Sequence, residues 1–194
     1  RKYEYAQSAN FLRKANELNL KVYGSNYIEL KNDMQNYFRI CQRIVGEEYK
    51  EENPLNTIFI VGLPRAGKTI VESILSRNNE VLPCGEDNAL SIAINKYLNQ
   101  KGTSNNKNIF KLFIESISKE LSSESCICVT TPGNFIYTGL IGSQIPNSKV
   151  IFCYRNPLDN IKEMYRSNLG NKYTFKTSII ESTKILLSIN QLMK

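Results

Sequence analysis

The chain has 194 residues, of which 41% are hydrophobic and 22% are charged, as is typical of a globular protein with one substantial core. The 25 basic residues outnumber the 18 acidic ones, and the net charge of +7 favours an anionic ligand or partner. No apolar run approaches the roughly 18 residues of a membrane-spanning helix, and no basic block is interleaved with aromatic residues, so we expect neither a membrane nor a nucleic-acid partner.

Two amphipathic helices are predicted at the N-terminus, over residues 3–22 and Tyr27–Ile44. The apolar stripe of the first consists of Tyr5, Ala9, Leu12, Ala15 and Leu18. Together the helices predict a hairpin, compatible with a docking module, the end-cap of a helical repeat array or packing for a sheet. The charged segment at 46–54 predicts a linker, so we assign one domain to residues 1–52 and a second to residues 53–194.

The segment 58–75 predicts a strand, a phosphate-binding loop and a helix. A β-branched and aromatic run ends at Gly62, a loop with proline and glycine follows, and apolar residues then recur with helical spacing. Its apolar helical residues are Ile70, Val71, Ile74 and Leu75. Residues 62–69 satisfy G-x-x-x-x-G-K-[ST], the nucleotide-binding P-loop.

The chemistry of such a loop follows from its geometry. Unpaired backbone N–H groups at the start of the helix point at one spot, where the helix dipole adds positive potential, so an anion is expected there. Arg65 and Lys68 add charge, and Thr69 adds a hydroxyl.

Strands alternate with helices through the rest of the chain, which implies a parallel sheet with its ligand at the carboxyl ends of the strands. The predicted elements are an extended segment at 81–87, a helix at 89–98, a polar loop at 100–108, a helix at 109–121, a strand at Cys126–Val129, a helix at 135–141, a strand at 150–154 and a helix at 174–193.

A second anion-binding junction is predicted after the strand at 150–154. Asn156 suits the N-cap of the next helix and Pro157 its first position, so Arg155 stands at the junction, where its guanidinium can bind a phosphate. The alternative is a structural salt bridge from Arg155 to Asp159 or Glu163. Two such junctions predict a ligand with two separated anionic groups.

The cysteines are Cys41, Cys84, Cys126, Cys128 and Cys153, an odd number without framework spacing, and histidine is absent. We therefore expect reduced thiols, a cytoplasmic location and no metal centre.

In order and spacing, these segments resemble the sulfotransferases that use PAPS (3′-phosphoadenosine 5′-phosphosulfate), in particular the tyrosylprotein sulfotransferases and the bacterial enzymes that follow tetratricopeptide repeats. Pro64-Arg-Ala-Gly-Lys-Thr69 stands where the family binds the 5′-phosphosulfate, and Arg155-Asn-Pro-Leu-Asp159 where it binds the 3′-phosphate. Cys84-Gly-Glu86 resembles the segment that carries the catalytic base, and Thr131-Pro-Gly-Asn-Phe135 resembles a family turn. The N-terminal helices resemble the last repeat and linker.

The resemblance implies a three-layer P-loop-type α/β fold and sulfuryl transfer from PAPS, without a metal, to the hydroxyl of a protein tyrosine, a saccharide or a small molecule. It assigns Glu86 as the base, with Asp87 next in line, and Arg65 to stabilise the developing charge. The implied nucleotide-binding residues are Pro64, Arg65, Ala66, Gly67, Lys68, Thr69 and Arg155.

Three positions depart from the family pattern: Lys68 replaces a threonine, Thr130 stands where many relatives have a lysine, and Glu163 stands where relatives have a serine. The resemblance also predicts that the C-terminal part of the family's domain lies beyond Lys194.

Two other functions remain open. The literal P-loop is also typical of a kinase or NTPase, which needs an acidic residue after a neighbouring strand to organise Mg²⁺. The strands at Cys126–Val129 and 150–154 are followed instead by Thr130 and Arg155, which favours the sulfotransferase. The three departures and the missing C-terminal part favour a non-catalytic nucleotide-binding or interaction module.

Overall fold

The computed structural model describes residues 2–44, 55–100, 108–117, 119, 121 and 126–193. The predicted linker and most of the polar loop at 100–108 lie outside these residues.

Within the described residues the chain forms helices and four strands. The helices are α1 (Lys2–Tyr23), α2 (Tyr27–Ile44), α3 (Lys68–Leu75), α4 (Ala89–Asn99), α5 (Ile109–Ser116), α6 (Thr138–Gln144), α7 (Pro157–Arg166) and α8 (Ile179–Leu192). The strands are β1 (Asn56–Val61), β2 (Val81–Gly85), β3 (Cys126–Val129) and β4 (Ser148–Phe152). Two 3-10 segments, Pro132–Tyr137 and Gly170–Thr177, precede α6 and α8.

The four strands form one parallel sheet in the order β2-β3-β1-β4. The apolar strand β1 lies inside it, and Ile58 is in register with Cys128 on one side and Lys149 on the other. The predicted α/β fold with a parallel sheet, flanking helices and N-terminal helices is therefore confirmed. The extended segment at 81–87 adds β2 as an edge strand.

Successive residues of β1 serve opposite faces of the sheet because side chains alternate along a strand. Ile60 is fully buried in a cluster against which Val71 and Leu75 of α3 pack. Phe59 is also fully buried, and its ring lies 5.5 Å from that of Phe113 in α5. Helices thus cover both faces of the sheet, as a three-layer arrangement requires.

The chain forms two compact units, one of Arg1–Met34 with Arg155–Lys194 and the other of Gln35–Tyr154. The sheet and its phosphate loop belong to the second unit. The domain boundary after residue 52 stays a prediction.

In the first unit, α1 contacts its neighbours through polar groups rather than through the predicted apolar stripe. Tyr5 and Leu18 of that stripe are 75% and 61% exposed. Asn16 is buried instead, and its amide donates hydrogen bonds to the carbonyls of Leu12 and Tyr165. Buried Lys176 caps the end of α7 by donating to the carbonyl of Ser167 (2.6 Å). Apolar periodicity could not predict this buried face of α1, because its contacts are hydrogen bonds made by a polar side chain.

Three predicted helices differ at their ends. The helix predicted at 109–121 ends at Ser116, because Ile117 is extended. The helix predicted at 135–141 runs from a 3-10 turn into α6. The helix predicted at 174–193 is interrupted at Ser178, whose hydroxyl accepts from the Glu181 N–H and so begins α8 anew. None of the helices described above is long and apolar enough to cross a membrane.

Candidate functional site

The loop between β1 and α3 begins at a glycine that the packing requires. The Cys153 N–H donates to the Val61 carbonyl at 2.8 Å, which brings the backbone after β4 against the end of β1. Gly62 has φ +142°, and a Cβ there would lie 2.6 Å from the Cys153 carbonyl oxygen. A side chain at this position would therefore collide with backbone, so the loop can leave the strand only through glycine.

The middle of the loop has a left-handed backbone at a residue with a long side chain. Arg65 has φ +65°, which is rare for a residue other than glycine, and its side chain is exposed. Such strain concentrates at binding sites, where the surrounding structure maintains it. The conformation is consistent with the predicted role of Arg65 toward an anion.

The helix that follows the loop starts without a capping side chain. Gly67, with φ +101°, is the N-cap of α3 and makes no side-chain cap hydrogen bond. The N–H groups of Lys68 and Thr69 in the first turn have no partner within the helix, because a helix supplies none there. This end of α3 thus presents N–H groups and a positive dipole end to an incoming anion.

Lys68 is a buried cation behind the loop. Its side chain is 6% exposed, and Nζ donates to the Leu63 carbonyl at 3.0 Å, an oxygen that also accepts from the Ala66 N–H. Burial lowers the pKa of Lys68 to about 8, and the negative charge of Glu86 opposes this shift. A positive charge therefore lies under the loop at neutral pH.

Glu86 follows β2 and lies within electrostatic reach of Lys68. It comes after Gly85, whose φ of +65° makes the turn and whose carbonyl accepts from the Thr130 N–H at 2.8 Å. The Glu86 side chain is exposed. Its neighbour Asp87 instead accepts from the Ala89 N–H at 2.7 Å and opens α4. Of the two carboxylates, Glu86 is thus the better placed to react with a ligand.

The structure adds a residue that the sequence did not single out. Glu72 of α3 is 8% exposed, and its Oε1 accepts from the Gly85 N–H at 2.8 Å. The apolar spacing on α3 concealed it, because such a periodicity points to the isoleucines, whereas Ile70 and Ile74 are 67% and 62% exposed. One signal was available: Lys68 and Glu72 are four residues apart and share a helix face.

The turn after β3 is tightly packed beside Asp87. Thr130 and Thr131 are buried, and the Thr131 hydroxyl donates to the Asp87 carbonyl. Asn134 is buried in the following 3-10 turn, where its side-chain Nδ2 has no hydrogen-bond partner. The position of Thr130 therefore supplies no cation.

Arg155 belongs to the first unit, at the start of α7, and is exposed. The predicted cap is confirmed: the Asn156 side chain accepts from the N–H groups of Leu158 (3.0 Å) and Asp159 (3.3 Å). Glu163 pairs with Arg166 at 3.1 Å. The role of Arg155 toward a phosphate stays a prediction.

Two cysteines of the sheet, Cys84 and Cys128, are not activated thiols. Burial raises the pKa of Cys84 to about 11 and that of Cys128 to about 12, so both are protonated and poor nucleophiles at neutral pH. The described part of the chain contains no group of three or more histidine, cysteine, aspartate and glutamate residues that could hold a metal ion.

Comparison with known proteins identifies a family. The family model described as "Sulfotransferase family" matches residues 57–192, which include the sheet except its first residue Asn56, the phosphate loop and α3 to α8. A protein of Aquifex aeolicus (strain VF5), described as an uncharacterized protein, is 28% identical over 192 residues. That similarity covers 88% of this chain and 25% of the relative, so the chain spans about a quarter of the relative's length.

Proposed function

Because the chain belongs to the sulfotransferase family, we propose that it moves a sulfuryl group from PAPS to an acceptor hydroxyl. The observation that carries this proposal is the pairing of an anion-binding loop with a carboxylate: Lys68 is buried beneath the loop, and Glu86 lies within reach of its charge. A donor phosphosulfate needs the first group and an acceptor hydroxyl needs the second.

The loop would bind the 5′-phosphosulfate of the donor. The N–H groups at the start of α3, the Lys68 ammonium and the Thr69 hydroxyl would hold the 5′-phosphate, and the Arg65 guanidinium would approach from solvent. Negative charge grows on the bridging oxygen as the S–O bond of the donor breaks. Charged and dipolar groups fixed before the reaction stabilise such charge without reorganising.

Glu86 would act as the general base. It takes the proton of the acceptor hydroxyl while the acceptor oxygen forms its bond to sulfur, and the bond from sulfur to the phosphate oxygen breaks to release adenosine 3′,5′-bisphosphate. Asp87 is a weaker candidate, since it accepts the Ala89 N–H. The acceptor class remains protein tyrosine, saccharide or small molecule.

For the 3′-phosphate of the donor we propose Arg155, assisted by the first turn of α7. This part of the proposal rests on the resemblance of Arg155-Asn-Pro-Leu-Asp159 and on the confirmed Asn156 cap. A guanidinium is suited to phosphate because it donates two parallel hydrogen bonds.

The literal P-loop and the buried Lys68 also support a second candidate, a Mg²⁺-dependent NTPase. That chemistry needs an acidic ligand at the end of a neighbouring strand. The residues directly after β3 are Thr130 and Thr131, and those after β4 are Cys153 and Tyr154, so neither position supplies one. The sulfotransferase is the better supported of the two.

Calorimetric titration distinguishes these functions. We expect adenosine 3′,5′-bisphosphate to bind without a metal and more tightly than Mg·ATP. Tighter, Mg²⁺-dependent binding of ATP would overturn the proposal in favour of the NTPase, and binding of neither would favour a non-catalytic module. Arg77→Ala is the control for the loss of one positive charge outside the loop, because Arg77 is exposed beyond the end of α3. It should bind like the wild type.

A further inference from the structure

Helix α3 buries its charges and exposes its isoleucines. Its buried residues are Lys68 and Glu72, whereas Ile70 and Ile74 are about two-thirds exposed. Burying a charged side chain costs free energy unless the charge is compensated, and exposing isoleucine forgoes a favourable burial. The orientation of α3 therefore reflects the contacts of its two charged residues as well as the packing of Val71 and Leu75 on the sheet.

Both charged residues interact with the same turn, Gly85–Glu86, Lys68 through its charge and Glu72 through a hydrogen bond. Lys68 interacts with the Glu86 charge, and Glu72 accepts the Gly85 N–H at 2.8 Å. On its other side, the Gly85 carbonyl accepts from the N–H of Thr130, the residue directly after β3. The turn is thus fixed by one hydrogen bond to the sheet and one to the helix of the phosphate loop.

We propose that Glu72 is a positioning residue, which ties the helix of the phosphate loop to the Gly85–Glu86 turn and keeps the Glu86 carboxylate beside Lys68. The inference rests on the proposed function, because it assumes that Glu86 is the base. Glu72 itself would touch neither donor nor acceptor. It would act by fixing the distance between the group that binds the donor and the group that takes the proton.

A purely structural role for Glu72 makes a different prediction. If the carboxylate only satisfies a buried N–H, its loss lowers stability and leaves the turnover of the folded protein unchanged. If it positions Glu86, its loss lowers kcat while affinity for the nucleotide stays the same, because the loop itself is intact.

Three substitutions of Glu72 separate the effects of its charge, of its side-chain length and of its hydrogen bond with the Gly85 N–H. Glu72→Gln keeps an acceptor oxygen at the same reach and removes the charge. Glu72→Asp keeps the charge and withdraws the acceptor by one methylene, and Glu72→Leu removes the acceptor. Glu29→Leu is the matched control, since Glu29 is exposed on α2.

We expect Glu72→Leu and Glu72→Asp to lower kcat by about 10- to 100-fold, the size of effect expected from a misplaced catalytic group, with the Kd of adenosine 3′,5′-bisphosphate changed by less than about threefold. Glu72→Gln and the control should retain kcat within about threefold. Adding Glu72→Leu to Glu86→Gln should cause little further loss, because the base is already absent. A kcat that falls equally in the Gln and Leu variants, or a Kd that rises with it, would overturn the inference.

Amide hydrogen exchange without nucleotide tests the inference independently of activity. The Gly85 N–H should exchange at least about tenfold faster in Glu72→Asp and Glu72→Leu than in the wild type and Glu72→Gln, with protection in β1 unchanged. Unchanged Gly85 exchange would refute the tie between α3 and the turn. Suppose that Gly85 exchanges faster in Glu72→Asp and Glu72→Leu, but the wild type binds adenosine 3′,5′-bisphosphate no better than Mg·ATP. That result would refute the proposed function and would still support the link between α3 and the turn. If Glu72→Leu does not fold, the Asp and Gln pair decides the question.

Discussion

Replacing Lys68 by methionine should stabilise the protein at neutral pH and lower its affinity for an anion. Burial lowers the pKa of Lys68 from 10.5 to about 8, so keeping this side chain charged costs about 3 kcal/mol of folding free energy at pH 7. Methionine has a similar length and no charge, but it loses the hydrogen bond to the Leu63 carbonyl, worth about 1 kcal/mol. We expect a net gain of about 2 kcal/mol.

The pH dependence of this gain isolates the charge. Below pH 8 Lys68 is protonated in both states, and the full cost is present. Between pH 8 and 10.5 the unfolded chain binds more protons at Lys68 than the folded one, so wild-type stability rises relative to that of Lys68→Met. The stability advantage of Lys68→Met should change by about 2 to 3 kcal/mol from pH 7 to pH 10, so that it disappears or slightly reverses.

Urea unfolding followed by circular dichroism at pH 7 and pH 10 measures this difference, and the other titrating groups are the same in both proteins. A difference that stays constant with pH would mean that Lys68 is not a buried cation. Nucleotide affinity provides the second measurement. It should fall in the wild type as pH rises above about 8, and it should be weaker and independent of pH across this range in Lys68→Met.

Four further predictions concern the loop, the proposed base and the proposed 3′-phosphate site. Arg65→Ala should lose at least about tenfold in affinity for adenosine 3′,5′-bisphosphate by calorimetry. Arg65→Gly should lose the same affinity but gain about 0.5 to 1 kcal/mol in stability, because glycine tolerates φ +65°. Equal stability of Arg65→Gly and the wild type would mean that the loop is unstrained. Gly62→Ala should lower the free energy of unfolding in urea by about 2 to 4 kcal/mol, because the added Cβ clashes with backbone. Gly67→Ala should lower it by about 1 kcal/mol, because there is open space around Gly67. Similar losses in the two variants would contradict the packing argument. Glu86→Gln should bind the nucleotide normally and transfer no ³⁵S-labelled sulfuryl group from PAPS, and retained transfer would exclude Glu86 as the base. Arg155→Ala should weaken binding of adenosine 3′,5′-bisphosphate but not of adenosine 5′-monophosphate; an equal effect on both would remove Arg155 from the 3′-phosphate.

The parts of the fold set by local physics were predictable from the sequence. The β-branched run before Gly62 predicted β1, and the glycine-rich loop predicted the start of α3. Asn156 and Pro157 likewise marked the start of α7, because capping depends only on neighbouring backbone groups. The alternation of strands and helices predicted the parallel sheet.

The features that depend on tertiary hydrogen bonds were not predictable in the same way. Periodicity assigns apolar residues to the core, and in α3 that rule fails for Ile70 and Ile74. Lys68 and Glu72 take the buried face because the Gly85–Glu86 turn and the Leu63 carbonyl provide their partners, and these lie far away in sequence or in a loop. The same explanation holds for α1, whose buried face is marked by Asn16.

A crystal structure of the protein with adenosine 3′,5′-bisphosphate would test most directly whether the loop after β1 is the donor site. The 5′-phosphate should lie within hydrogen-bond distance of the N–H groups at residues 67–69 and of the Lys68 ammonium, with the Glu86 carboxylate facing the side where the sulfuryl group would extend. A nucleotide bound elsewhere, with the loop empty, would contradict the account.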